Sequence, residues 1–280
     1  MLQRTIPVEL DDLLSRDLQL PVCPQVFIKL SQLLENNERP ASELTQTLTS
    51  DPSLAAQVLR VSNSAAYGMN RSLRSIDEAV FRIGYTEVWS IAAALKAKEL
   101  FGAGAVWSPF NERLWKHSLE VGVIARELSA HSLPSGADEL MSAGILHDIG
   151  KLILYKVTPQ YAMLTDNGLL RGADLTWREM DFFGTHHARL GGAVLERWNL
   201  PQTLTDLVRD HHIMPETTDP QRVVRSVLML ANLMAHEAQR AGSRDDALPA
   251  ALLALSGMKT DVCWRSLVQS RQALHRLNSI

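Results

Sequence analysis

The sequence predicts an all-α fold: an N-terminal helical bundle followed by a second helical core. Three observations carry that expectation. Apolar residues recur at three- and four-residue spacing along almost the whole chain, the period of a helix with one buried face. Alternation of β-branched apolar residues with polar ones, the mark of a half-buried strand, is scarce. Glycines and prolines fall between the periodic segments, where helices start and stop. At 280 residues, 46% of them hydrophobic and 21% charged, the chain is long enough to bury a sizeable core.

Taken in order, Pro21 and Pro24 punctuate the start, and a helix follows to about Leu34. "PASELTQTLTSDPSLAAQVLRVSNSAAYG" reads as two helices, the first capped by Ser42 and the second by Asp51 with Pro52 in its first turn. Asn63 and Ser64 suit a turn, where their side chains hydrogen-bond backbone. "SIDEAVFRIGYTEVWSIAAALKAKELF" is helical with a break at Gly84, and Gly102 to Pro109 reads as a connection. That connection divides the chain into residues 1–108, an N-terminal helical subdomain, and 109–280, a second helical subdomain with its C-terminal helices.

In the second part, "NERLWKHSLEVGVIARELSAH" is one long helix. "ADELMSAGILHDIGKLILYKV" reads as another, capped by Asp138 and stopped before Pro159. "TWREMDFFGTHHARLGGAVLERWNL" is a glycine-broken helix, "PQTLTDLVRDHH" a short one from Pro201, and "PQRVVRSVLMLANLMAHEAQRAG" a long apolar one. The tail, Asp245 to Ile280, is again helical.

The net charge of −3 comes from 28 basic and 31 acidic residues mixed along the chain, a balance that predicts no nucleic-acid or membrane partner. Cys23 and Cys263 match no metal or redox spacing, so a reducing cytoplasm is the simplest expectation. No apolar run approaches membrane-spanning length, and no leader-type segment opens the sequence.

The chemistry concentrates in histidines. Of nine, six fall at four places in the second part: His117, His147, His186–His187 and His211–His212. His147 and Asp148 sit inside the apolar run "GILHDIGKLIL". Ionisable groups are rarely buried there unless paired or metal-bound. Imidazole and carboxylate together suit Zn, Mn or Fe as divalent ions, and several helices side by side can bring such groups to one ion or two. The blander readings are a satisfied core histidine at His117 and solvated helix ends at the doublets.

"HDIGK" after an upstream helical histidine resembles the signature of the HD superfamily of metal-dependent phosphohydrolases. "LTSDPSLAAQVLRVSNSAAYG", "SIDEAVFRIG", "HARLGGAVLERWNLP" and "VRDHH" narrow the resemblance to the HDOD domain, an HD-related output domain of bacterial signalling proteins. It covers roughly Leu20 to Arg240 and implies an all-helical fold with a diverged HD core. Carried over residue by residue, it implies metal contacts at His117, His147, Asp148, His187, His211 and His212, with His186 a neighbour. The final aspartate of the pattern is replaced by Asn232, a neutral and weaker ligand, and the Gly-Tyr-Pro segment of the related cyclic-dinucleotide phosphodiesterases is absent after "DHH". Asp210 offers a second carboxylate, though no family position supports it.

Two functions follow from the resemblance. One is a non-catalytic regulatory module that acts through other signalling proteins or a small nucleotide-like ligand, keeping an HD-type pocket that can still hold a divalent metal. The other is a metal-dependent phosphohydrolase or phosphodiesterase acting on a nucleotide or cyclic nucleotide. In the second, Lys151 stabilises phosphate charge; its alternative role is a side chain reaching the helix edge. Asn232 and the missing Gly-Tyr-Pro segment favour the module, while the retained His-Asp pair keeps the enzyme open.

Overall fold

The computed structural model describes residues 25–33, 40–67, 72–102, 108–133, 137–165, 172–239 and 248–277, with helices and no strand among them. Helix α1 (Gln25–Gln32) turns Phe27 and Leu30 inward; its expected end at Leu34 lies outside the described residues. Ser42 does not cap α2 (Ala41–Thr49). The N-cap position is Pro40, which makes no side-chain cap bond, and Ser42 falls inside the first turn. Proline's fixed φ sets the entry there. Helix α3 (Pro52–Ser62) starts as the sequence predicts, with Asp51 accepting from the Leu54 N–H at 3.0 Å. At its far end Asn63 makes a two-way bond with Leu73, donating to its carbonyl at 3.0 Å and accepting from its N–H at 2.7 Å.

Helix α4 (Ile76–Ile83) is capped by Ser75 and leaves through Gly84, whose φ of +89° suits glycine. Helix α5 (Tyr85–Gly102) follows, and every residue from Val88 to Ala97 is buried. A helix apolar all round must be surrounded, and α5 is packed by α1, α2, α3 and α4. The Trp89 indole donates to the Leu30 carbonyl at 3.0 Å, and buried Lys96 reaches Asp51 at 2.8 Å.

Helix α6 (Pro109–Ser132), capped by Ser108, is the spine of the second half. Helix α7 (Ala137–Leu146) crosses it where two glycines meet: a Cβ on Gly144 would lie 2.5 Å from the Gly122 Cα. The Asp138 side chain lies outside the described residues. The sequence predicts one helix through to Pro159, and here the structure differs. The helix breaks at His147–Asp148, and α8 (Ile149–Val157) begins anew. The reason is a second close contact. Gly150 abuts the next histidine segment so tightly that a Cβ there would lie 2.0 Å from the His187 carbonyl oxygen. One straight helix would have to satisfy both crossings.

A 3₁₀ turn (Pro159–Tyr161) and α9 (Ala162–Thr165) lead on to α10 (Gly172–Phe183), α11 (His187–Arg197) and α12 (Gln202–Arg209). The glycine break expected in this segment is Gly184. Helices α13 (Arg222–Gln239) and α15 (Thr260–Leu277) pack along α6, and α14 (Ala250–Ser256) packs on α13. Glu87 of α5 ties the parts together, accepting from the Tyr67 hydroxyl, Arg126 of α6 and Arg276 of α15. Buried apolar residues from Phe27 to Leu277 form one continuous core. No helix of the described residues is long and apolar enough to cross a membrane.

A candidate metal centre of histidines around Asp148

The break between α7 and α8 positions the site. It lifts His147 and Asp148 out of both helices and sets them in a two-residue turn, His147 fully buried and Asp148 1% exposed. Around Asp148 the fold gathers four histidines. Oδ2 faces the Nε2 atoms of His147 at 3.2 Å and His117 of α6 at 3.8 Å. Oδ1 faces the Nε2 atoms of His187, the first residue of α11, at 3.3 Å and of His211, just past α12, at 3.8 Å. His212 joins the second group, its Nε2 2.9 Å from that of His187. Two donor groups result, His117–His147–Asp148 and His187–His211–His212.

Local hydrogen bonds aim these rings. A carbonyl oxygen only accepts, so the bond of His147 Nδ1 to the Gly144 carbonyl (2.7 Å) places the proton on Nδ1. His211 Nδ1 bonds the Val208 carbonyl at 2.7 Å in the same way. His187 Nδ1 bonds Glu179 of α10, again at 2.7 Å, and the same carboxylate oxygen accepts the His187 backbone N–H at 2.8 Å. Each ring is thereby committed to presenting Nε2 to Asp148.

The electrostatics agree. Burial pushes His117 and His211 well below the usual histidine range, and neighbouring histidines add to it. Burial likewise pushes His212 down to about 2. These rings are neutral, with lone pairs available. Burial raises Asp148, but the neighbouring His147 and Lys151 outweigh it and hold the carboxyl well below its usual range. Glu179 is also ionised: burial raises it, and His187 with the Tyr161 hydroxyl more than offsets that.

Several of these atoms then have no protein partner. Both nitrogens of His117, Nε2 of His147, Nε2 of His211, Oδ1 of Asp148 and Oδ1 of Asn232 are buried and make no hydrogen bond. Each such atom costs about 1–3 kcal/mol when left unmade. Five of these six atoms lie on the histidine–aspartate cluster, a large cost for a scaffold. A bound cation satisfies them together, and the spacings suit one. Neighbouring ligands about 2.1 Å from a transition metal lie about 3.0 Å apart in octahedral and about 3.4 Å in tetrahedral geometry, the range of the 2.9 Å between His187 and His212 and the 3.3 Å between His187 and Asp148. The residues present fit a divalent metal.

All six residues expected as metal contacts are thus brought together. Asn232 lies on α13, one turn before His236, whose ring stacks on His117 at 4.4 Å. Lys151, in the first turn of α8, bonds Asp148 Oδ2 through its Nζ at 2.7 Å. His186 caps α11, its ring accepting from the Arg189 N–H at 3.4 Å. Asp210 is not part of the site, because Arg225 holds it at 3.3 Å. Sequence reading missed Glu179 and Tyr161. The signal for Glu179 was present: Leu175, Glu179 and Phe183, four residues apart, form the buried stripe of α10.

An all-helical fold with a histidine–aspartate pocket between packed helices defines an HD-type protein. The chain matches the HDOD domain over residues 20–214 and belongs to that family. It is 25% identical over 222 residues to an uncharacterized protein of Treponema pallidum, a match spanning 76% of this chain and 42% of that one, so it covers under half the length of that relative. Among solved structures it resembles an HDOD domain protein of unknown function from Geobacter sulfurreducens, with TM-score 0.73, 24% identity and coverage of 92% and 93% of the two chains. It also resembles a Shewanella amazonensis protein provisionally named a phosphohydrolase, with TM-score 0.68, 23% identity and coverage of 95% and 97%. At these identities the likeness concerns the fold.

Proposed function

We propose that this chain is a regulatory module of bacterial signalling whose HD-type pocket binds a divalent transition metal ion, Fe, Mn or Zn, without catalytic turnover. His187, His211, His212 and Asp148 would hold the ion, with His117, His147 and Asn232 as the further donors. The module would act through other signalling proteins or a small nucleotide-like ligand. One observation carries the reading: five imidazoles, four of them buried, converge on one carboxylate, and ring nitrogens of His117, His147 and His211 have no partner, yet Asp148 is the only anion among the donors. Neutral ligands bind a borderline metal well but compensate little of the charge of two hydrolytic ions.

The first test is elemental analysis of protein purified without added metal, beside an Asp148→Ala variant. About one equivalent of transition metal in the parent and none in the variant is the expected result. A metal-free parent that also takes up none on addition would remove the basis of the reading.

A hydrolytic reading has one observation in its favour. Asp148 offers one oxygen to each donor group, the arrangement by which a bridging carboxylate serves two-metal hydrolases. Bound metal would supply an acidified water; this chain would position a phosphodiester and keep Asp148 ionised. Turnover of cyclic dinucleotides or simple phosphodiesters by metal-loaded protein, lost in Asp148→Ala, would establish it over the module.

A further inference from the structure

The two donor groups look equivalent until Lys151 is placed. Its ammonium sits 2.7 Å from Asp148 Oδ2, the same oxygen that faces His147 at 3.2 Å and His117 at 3.8 Å. Among the described residues no cationic side chain bonds Oδ1, which faces His187 and His211 and makes no hydrogen bond. Behind His187, Glu179 lends negative charge through Nδ1, which strengthens that ring as a donor. One side of the carboxylate is therefore occupied by a cation of the chain itself, and the other is open.

We propose that Lys151 is the resident cation of the His117–His147–Asp148 group, so that the pocket holds a single divalent ion in the His187–His211–His212 group and admits a second only when Lys151 leaves Asp148. This rests on the pocket being a metal site, and it assigns to Lys151 the control of how many ions the site takes. A divalent ion on Oδ2 would stand within a few ångströms of the ammonium, where like charges in a water-poor pocket repel strongly. Lysine is suited to such a part. Its charge is compact and its stem flexible, and the side chain, 11% exposed, keeps a route to solvent. Anything that draws the ammonium away, an anionic ligand at that edge above all, would open the second position.

The test is an optical titration with Co(II), checked by electron paramagnetic resonance with Mn(II), of chelator-stripped protein in the parent, Lys151→Met and Lys151→Arg forms. The parent is expected to bind one ion tightly and a second at least about tenfold more weakly. Lys151→Met keeps the stem and removes the charge, and it should bind two ions with the second tightened by that factor or more. Lys151→Arg keeps a cation and should retain the parent pattern. Circular dichroism confirms folding, and Lys151→Gln serves as the charge-free variant if Lys151→Met fails to fold. Two equal ions in the parent, or no gain in the charge-free variant, overturns the assignment while leaving the metal pocket standing. If no form binds any ion, the metal reading falls and this proposal with it.

Discussion

Two lysine–aspartate pairs of almost the same length lie in the two halves of the molecule, and their surroundings differ completely. Lys96 meets Asp51 at 2.8 Å, Lys151 meets Asp148 at 2.7 Å, and both lysines are largely buried. Around the first pair the accounts close. Asp51 also accepts the Leu54 N–H, capping α3, and Lys96 also bonds Glu99 at 3.0 Å. Around the second, the adjoining imidazoles are left with unanswered lone pairs. A satisfied pair is structural cement between helices. A pair in a ring of orphaned acceptors belongs to a site.

Acidification should separate the two regions most strongly. In the metal-free protein, burial holds His117, His211 and His212 below the pKa of about 6.5 that they regain on unfolding. The unfolded chain then binds more protons below that pH, so stability is full above it and falls as pH drops. Three such groups amount to at most about 4 kcal/mol between pH 7.5 and 5.5. Asp51, by contrast, is lowered by its bond from Lys96; the stability it adds persists above about pH 4 and goes only as pH falls through its folded value. Urea midpoints in chelator at several pH values check both windows. A flat profile between pH 7.5 and 5.5 would contradict neutral buried imidazoles.

A smaller effect is expected at the carboxylate behind the site. Glu179→Gln removes the charge that fixes the His187 tautomer while preserving shape, and metal affinity should fall about 10- to 100-fold with little loss of fold. A competition titration with a coloured chelator reads this directly, and Glu179→Asp should recover part of the loss. The smallest effect belongs to the closed pair. Lys96→Met should cost about 1–2 kcal/mol, limited because Asp51 keeps access to water, and should leave metal content unchanged. A change in metal content on that substitution would erase the distinction between the regions.

Much of this was legible in the residues. Helical period, the Asp51–Pro52 start and the Gly84 break follow from local rules, the histidine set was implied by the family resemblance, and the structure brings those histidines together around Asp148. What escaped depends on packing. "GILHDIGKLIL" is continuous as a pattern, and the break within it comes from Gly144 and Gly150 each pressing on a different neighbour. Ser42 has a capping residue's chemistry, but Pro40 already sets that helix entry. Glu179 was hidden among the exposed charges of "TWREMDFF". Only its four-residue spacing from Leu175 and Phe183 marks it as interior, and nothing in the pattern names His187 as its partner.

The contact of Gly150 with the His187 carbonyl bears on more than a helix break. Both residues adjoin the pocket, one following Asp148 by two positions and the other contributing a donor ring. Their main chains touch, with no room for a methyl group between them. The gap between the His-Asp turn and α11 is consequently gauged by backbone, which is stiff, and not by side chains, which adapt. The donor frame is therefore set to one size, and any ion it takes must match it.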